Sequence, residues 1–560
     1  MNYLRSFQYV HVTPARYFAL YVTPVVAGSI VASLLIVTAL KDIMPIWLQA
    51  LLPFLIVGIA TAFIVMYPVA QADNRKMAIN QAIPFFMTHF GVLSTSNLPR
   101  QEIFRLLGER KDYGPLAEEL YKIYRLSAQW NMPLPQACRF VAVSSPSQIL
   151  ADFLDRLAQT LETGNDLETF LRHEQTVVLK EYATVYETSN HQIVSLKDTY
   201  ASLVMSGAFF AIFAIIAPTI TDIDPVQIFT GILVMFLFIE MLVLFLFRFR
   251  VPADHVWHKL PISTRHRSMV RLICVAAFTA GLVIMALLWP ITQLPLSIKI
   301  AFALTPLGVA GFYSEIEERR IRRREDNYGA FIRSVGTSVE SRGGNFREVL
   351  RRIKTHDFGP LSRMVHNLYA RVTWRLHDLL AWRYFAAESG SNLVAHFNEM
   401  FVESIRAGGK GGPTGAIISE NVVRMLNLRR GRYATAGILR GLLYGLTASV
   451  AFTLFIGVGV LEVLGNLLGA AAADPAASPI SLHVGGNIGI IENLLLLVIL
   501  VHAFAGAMML KVVDGGSYAG GLMHFVIFTW LGVLLGWGSQ EVVHTIFGSV
   551  GSTAVGQATG

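Results

Sequence analysis

Charge is scarce in this chain and cysteine scarcer. Only 15% of the 560 residues are Asp, Glu, Lys or Arg, against 53% apolar, and the mean hydropathy is +0.50. That composition excludes an ordinary soluble protein, yet leaves too much charge for a bundle of membrane spans alone. The chain must alternate lipid-embedded with water-facing segments. Two cysteines, Cys138 and Cys274, exclude a disulfide framework and read as packing residues. Alternating strand patterns are missing, and so are a Ser/His/Asp or Cys/His constellation and a His-x-x-x-His pair with a third ligand. No catalysis, cofactor or metal is therefore expected. The net charge of +8 is accounted for by topology, so nucleic acid is not an expected partner.

What is abundant is long apolar sequence. A hydrocarbon core takes roughly 20 apolar residues per helix. Nine runs meet this, at 17–40, 46–71, 201–220, 226–247, 271–292, 296–314, 438–468, 488–510 and 519–548. The first follows Arg5 and Arg16, as a signal peptide would. It is too long for a signal core, has no small-residue cleavage site after it and runs into a second apolar stretch, so it reads as a retained span. Positive charge sets the orientation. All but two of the 46 Lys and Arg, namely Lys41 and Lys299, fall in segments assigned inside. The acidic turn Thr221-Asp222-Ile223-Asp224, the segment 470–486 and the tail 549–560 carry neither Lys nor Arg. The expectation is an N-terminus inside and a C-terminus outside.

Between the spans, a stretch of about 120 residues occurs twice. Lys111-Asp112-Tyr113-Gly114-Pro115-Leu116, then Leu120, Ile123 and Tyr124, matches His356-Asp357-Phe358-Gly359-Pro360-Leu361, then Val365, Leu368 and Tyr369. Phe86, Gly91 and Gly164 match Phe331, Gly336 and Gly409 at the same offset of 245. Leu116, Leu120 and Ile123 recur at helical spacing, with Gly114 and Pro115 suited to an N-cap and first turn. Another helix follows Pro133, and Thr163-Gly164-Asn165-Asp166 closes one helix and caps the next. The expected architecture is all-α: two spans (1–71), a helical domain (72–200), four spans with a short basic inside loop (201–314), a second helical domain (315–437) and three spans (438–560). Residues 72–200 carry a net −2 and residues 315–440 a net +9, which makes the second domain the better match for an acidic partner.

The Gly-Pro-Leu helix start, the amphipathic helices after it and the helix-end Gly164 and Gly409, repeated beside membrane spans, resemble the type II secretion system F domain. That domain marks the platform proteins of type IV pili, type II secretion systems and archaella. The span order looks most like the archaeal branch, since bacterial pilus platforms of this family have fewer spans. The resemblance implies a cytoplasmic-membrane assembly platform without chemistry of its own. Its partners would be a hexameric secretion ATPase docked on the cytosolic domains, pilin or archaellin subunits, membrane lipids and a possible second copy of the chain.

Candidate sites follow from charge and depth. Arg319, Arg320, Arg322, Arg323, Arg324, Arg429, Arg430 and Arg432, with Arg265 and Arg267 of the short loop, form a basic collar just inside the membrane. Such a collar holds anionic headgroups or meets an acidic face of the ATPase. Glu240, Glu462, Glu492, His502 and His524 fall within spans, where ionisable groups are costly and face protein or water. They read as inter-helix hydrogen bonds, contacts to a filament subunit or an ion path. Gly408-Gly409-Lys410-Gly411-Gly412-Pro413-Thr414-Gly415 lacks the Gly-Lys-Ser/Thr order and the preceding strand of a phosphate loop, and reads as a helix–helix connection. Gly465-x-x-x-Gly469 and Gly516-x-x-x-Gly520 could bring helices close. A secondary transporter is the rival from another class. Its repeat would lie in the spans, and here the repeat lies between them.

Overall fold

The computed structural model describes residues 13–39, 46–96, 98–216, 225–252, 254–262, 264–341, 345–472 and 488–558. The acidic turn 221–224, residues 473–487 and residues 559–560 lie outside them. Among the described residues the elements are helical, and extended pairing is confined to one bridge between Trp257 and Ser391.

The chain opens with α1, which is Pro14–Tyr17, a π turn Phe18–Val22 and Thr23–Ala39. It then runs through α2 (Ile46–Leu93), α3 (Arg100–Gly108), α4 (Pro115–Ala128), α5 (Leu134–Ser144), α6 (Gln148–Thr163) and α7 (Leu167–Ile216). Next come α8 (Pro225–Arg250), α9 (Arg265–Leu288) and α10 (Leu296–Glu340). A second group of short helices follows, α11 (Phe346–Ile353), α12 (Ser362–Thr373), α13 (Asp378–Ser389) and α14 (Asn392–Arg406). The chain ends with α15 (Gly411–Ala472), α16 (Ile488–Asp514) and α17 (Gly521–Ala558).

Seven helices of the described residues are long and apolar enough to cross a membrane: Ala15–Leu35, Val226–Arg250, Arg265–Leu288, Leu296–Glu340, Gly411–Val463, Gly489–Asp514 and Tyr518–Val543. The chain is thus an all-α, polytopic membrane protein. Of the other two apolar runs, 46–71 falls on the first half of α2, and residues 201–216 of the run 201–220 form the end of α7, the remainder lying outside the described residues. The domain edges drawn from sequence at 71/72, 200/201, 314/315 and 437/438 each fall inside one helix, α2, α7, α10 and α15. No linker separates apolar from polar sequence there. A helix satisfies its own backbone hydrogen bonds on either side of a membrane surface, so nothing forces it to break.

Local signals explain the short helices. Ser147, Asn345 and Ser391 cap α6, α11 and α14 by accepting backbone N–H groups. Asp166 caps α7, its Oδ2 accepting from the Thr169 N–H at 2.8 Å. Gly164 closes α6 at φ +72°. Pro115 opens α4 behind Gly114, which takes φ +52°. Gly359 takes φ +57° in the same way, but here Gly359-Pro360-Leu361 forms a 3-10 turn ahead of α12, not the first turn of an α-helix. Leu116 and Leu361, fully buried, anchor the two turns.

Two further expectations shift. The left-handed residue after α14 is Gly408, φ +83°, not Gly409. Gly409 is needed for closeness instead, since a Cβ there would lie 2.4 Å from the Ser404 hydroxyl. The stretch Gly411 to Gly415 is already the first turn of α15. Gly516-x-x-x-Gly520 is no helix-packing face: Gly516 sits at φ +83° in the turn between α16 and α17, against the Glu318 carboxylate.

The buried apolar side chains of α2 to α7 and of α10 to α15 form one continuous core, with Phe86 and Phe331 both fully buried in it. A second core joins α7, α8, α15, α16 and α17 along their apolar lengths. Gly336 sets the approach of α10 to α15, because a Cβ there would lie 2.5 Å from the Gly411 carbonyl and 2.9 Å from Gly415 Cα. Gly336→Ala should therefore lower stability by ~1–3 kcal/mol through overpacking, read as an earlier thermal transition in detergent. Gly445→Ala, with open space around it, should cause no loss.

Candidate functional site

The basic collar divides into mortar and surface. Arg429 is buried and donates to Asp254 at 2.7 Å and to Glu325 at 3.2 Å. Arg432, 1% exposed, donates to three backbone carbonyls, those of Pro252 (2.8 Å), Val512 (2.8 Å) and Val513. Arg322 reaches Asp514 at 3.1 Å and lies 3.7 Å over the Tyr433 ring. Arg324 is buried and donates to the Ser389 carbonyl at 3.0 Å. These four bind the loop after α8, the end of α16 and the helical bundle into one body. Arg265, Arg267, Arg319, Arg320, Arg323 and Arg430 remain exposed. Burial alone would raise the Asp254 carboxyl, but Arg429 and Arg432 overcome it and hold the group below its ordinary value. Glu325 shows the reverse, burial pushing it up against the pull of Arg429.

The same loop is fixed to the second bundle by backbone. His258 N–H donates to the Gly390 carbonyl at 3.0 Å and Asn392 N–H to that of Val256 at 2.9 Å. Lys511, also buried, meets Glu318 at 3.1 Å and Asp514 at 3.5 Å, and the Trp257 indole donates to Glu318 at 3.2 Å.

Beside their shared apolar core, the two bundles also touch through polar groups. Arg110 donates to Glu399 (2.6 Å) and Glu403 (3.1 Å), and His89 Nε2 lies 3.3 Å from Glu403. Asn421 donates to the Thr88 hydroxyl at 2.9 Å, and Ser404 to the Val92 carbonyl at 3.1 Å. Burial keeps His89 below its ordinary value despite Glu403. Beside this seam opens a cavity of about 870 Å³, lined by Tyr113, Gly114, Lys259, Arg383 and His396 among others.

Within the membrane region, Glu240 and His502 meet. His502 Nδ1 lies 2.6 Å from Glu240 Oε1, and the Tyr200 hydroxyl donates to both carboxylate oxygens at 3.0 and 3.1 Å. All three are buried, on helices α7, α8 and α16. His524 on α17 stands 3.0 Å from the Tyr444 hydroxyl of α15. Glu492 accepts from Gln540 at 3.1 Å, and Glu462 is half-buried and engaged. Glu240 and His502 thus come together, while Glu462, Glu492 and His524 stand apart from them. Sequence reasoning missed both tyrosines. Their signal was spacing: Tyr200 and Tyr444 are 244 residues apart, nearly the offset of the repeat, and each lies on the helix that carries the chain out of a bundle.

Removing one partner of a buried ion pair leaves the others uncompensated, so Arg429→Met should cost ~3–5 kcal/mol. Arg430→Met, next to it but 65% exposed with Asp326, should cost at most ~1 kcal/mol. Thermal unfolding of the two purified variants compares them directly.

A family described as "Type II secretion system (T2SS), protein F" matches residues 86–215. The chain is 31% identical over 548 residues to flagella accessory protein J of Methanococcus voltae, covering 96% of this chain and 97% of the relative. It is 32% identical over 556 residues to flagella accessory protein J of Methanocaldococcus jannaschii, again with 96% and 97% covered. An uncharacterized protein of the latter organism matches at 24% over 110 residues, 20% of this chain and 18% of that one. No solved structure matches. Identity near one third along almost the whole length, on an all-α membrane scaffold, places the chain in the flagella accessory protein J family of type II secretion system F-type membrane proteins.

Proposed function

We propose that the chain is the cytoplasmic-membrane platform of an archaellum or closely related type IV pilus machine. Nine spans hold it, with the N-terminus in the cytosol and the C-terminus outside, and the bundles 72–200 and 315–437 are copies of one cytosolic unit. A hexameric secretion ATPase docks on these bundles, and pilin-like subunits are taken from the bilayer beside the spans. The names of the full-length relatives favour a motility filament over an adhesive pilus or a secretion system. The exposed part of the collar, Arg319, Arg320, Arg323 and Arg430 with Arg265 and Arg267, suits an acidic partner or anionic headgroups.

The carrying observation is the path from bundle to membrane. Each bundle is left by an unbroken helix, α7 or α15, whose tyrosine meets a histidine on one of the last two helices: Tyr200 with His502 at 3.3 Å and Tyr444 with His524 at 3.0 Å. Motion imposed on a bundle therefore has a stiff, hydrogen-bonded route to the spans. Each such buried bond contributes ~1 kcal/mol net, more if a partner is left unsatisfied. Cells lacking the gene should make no filaments, and the wild-type gene should restore them. Tyr200→Phe with Tyr444→Phe should insert normally yet restore filaments poorly, counted by electron microscopy. Normal filaments in the deletion strain would overturn the proposal.

A further inference from the structure

The two bundles carry the same exposed turn. α4 and α12 are each followed by a tryptophan in solvent, Trp130 at 72% and Trp374 at 82% exposed. The next residue in each case is Asn131 at φ +52° and Arg375 at φ +58°, the two non-glycine residues with positive φ among those described. Such a residue is strained unless its surroundings fix it. Here hydrogen bonds do so: Met132 N–H reaches back to the Leu126 carbonyl at 3.0 Å, and Leu376 N–H to that of Arg371 at 3.1 Å. Ten residues after each tryptophan the following helix presents another exposed ring, Phe140 at 61% and Tyr384 at 41%. One spacing of 244 residues relates all three pairs.

These turns lie away from the lipid. The Gln101 side chain, in the first turn of α3, donates to Ser127 in the last turn of α4 at 2.9 Å. α3 starts seven residues beyond the end of α2, the end farthest from the apolar run 46–71. In the second bundle α11 starts six residues beyond the matching end of α10, and α12 packs on it. A lipid-anchoring role does not suit tryptophans so placed.

Indole rings dominate the energetics of protein interfaces because they bury much surface at little entropic cost. A chain that holds one out twice, in a fixed turn, fits a partner offering the same pocket twice. Exposed Arg375 follows Trp374 directly, and exposed Arg347, Arg351 and Arg352 lie on α11, against which α12 packs, so the complementary rim is acidic. We infer that Trp130 and Trp374 are paired anchors for a homo-oligomeric cytosolic partner whose subunits each present an acidic-rimmed apolar pocket. Resting on the proposed function, that partner is the ATP-hydrolysing motor, and two subunits held by one chain gain avidity.

The test uses the full-length chain in nanodiscs and the purified secretion ATPase encoded in the same genome. Trp130→Ala and Trp374→Ala should each weaken binding about tenfold or more, and the double variant about a hundredfold, with unchanged thermal unfolding. Binding by the double variant within about twofold of wild type overturns the inference. Where the wild type itself fails to bind the ATPase, the motor reading falls. A photo-crosslinking residue at positions 130 and 374 in living cells then decides the anchors. One acidic oligomeric protein captured at both positions supports them. Lipid, a second copy of this chain, different proteins at the two positions or no product refutes them.

Discussion

The rest of the structure depends on helix continuity from the bundles into the apolar segments. α2, α7, α10 and α15 each carry apolar sequence on one part and bundle sequence on the other, without a break. In lipid the backbone must satisfy itself, and in water it is free to do so, so an α-helix is the one element that passes between both solvents at no backbone cost. The bundles are therefore not tethered domains. Their long helices are the same rods that carry the apolar sequence, and the two packed cores follow from that: one among the bundles and one along the apolar lengths.

Charge then does two jobs that composition alone does not separate. At the junction of loop, bundle and α16, buried Arg429, Arg432 and Lys511 meet carboxylates or carbonyls and tie these elements together. Taking such groups from water is costly and is offset only by close pairing, which is why Asp254, Glu325, Glu318 and Asp514 converge there. A short distance along the same helices, Arg319, Arg320, Arg323 and Arg430 keep their heads in solvent. A single residue step around a helix decides between the two roles, as the neighbours Arg429 and Arg430 show.

Much of this was legible in the sequence, for physical reasons. Long apolar runs and the asymmetry of Lys and Arg are one-dimensional signals, so the all-α membrane class and most of the apolar helices could be read directly. Gly114 and Gly359 were found because Gly-Pro-Leu occurs twice at helix starts, and both take the positive φ that glycine adopts without strain. The failures were matters of register and burial. Gly409 was chosen where Gly408 takes the turn, since adjacent glycines look alike in one dimension. Ten arginines formed one collar in sequence, whereas helical phase turns four of them inward. Tyr200 and Tyr444 went unnoticed because an aromatic residue in an apolar run resembles any other until its hydroxyl finds a partner.

The central claim is that an unbroken helix conveys movement of a bundle to the spans. Inserting a flexible Gly-Ser-Gly-Ser segment into α7 after Asp198, which is 67% exposed, tests it most directly. The account predicts a chain that still inserts and still retains its cytosolic partner but assembles no filaments. Filaments formed at the wild-type rate by that variant would contradict it.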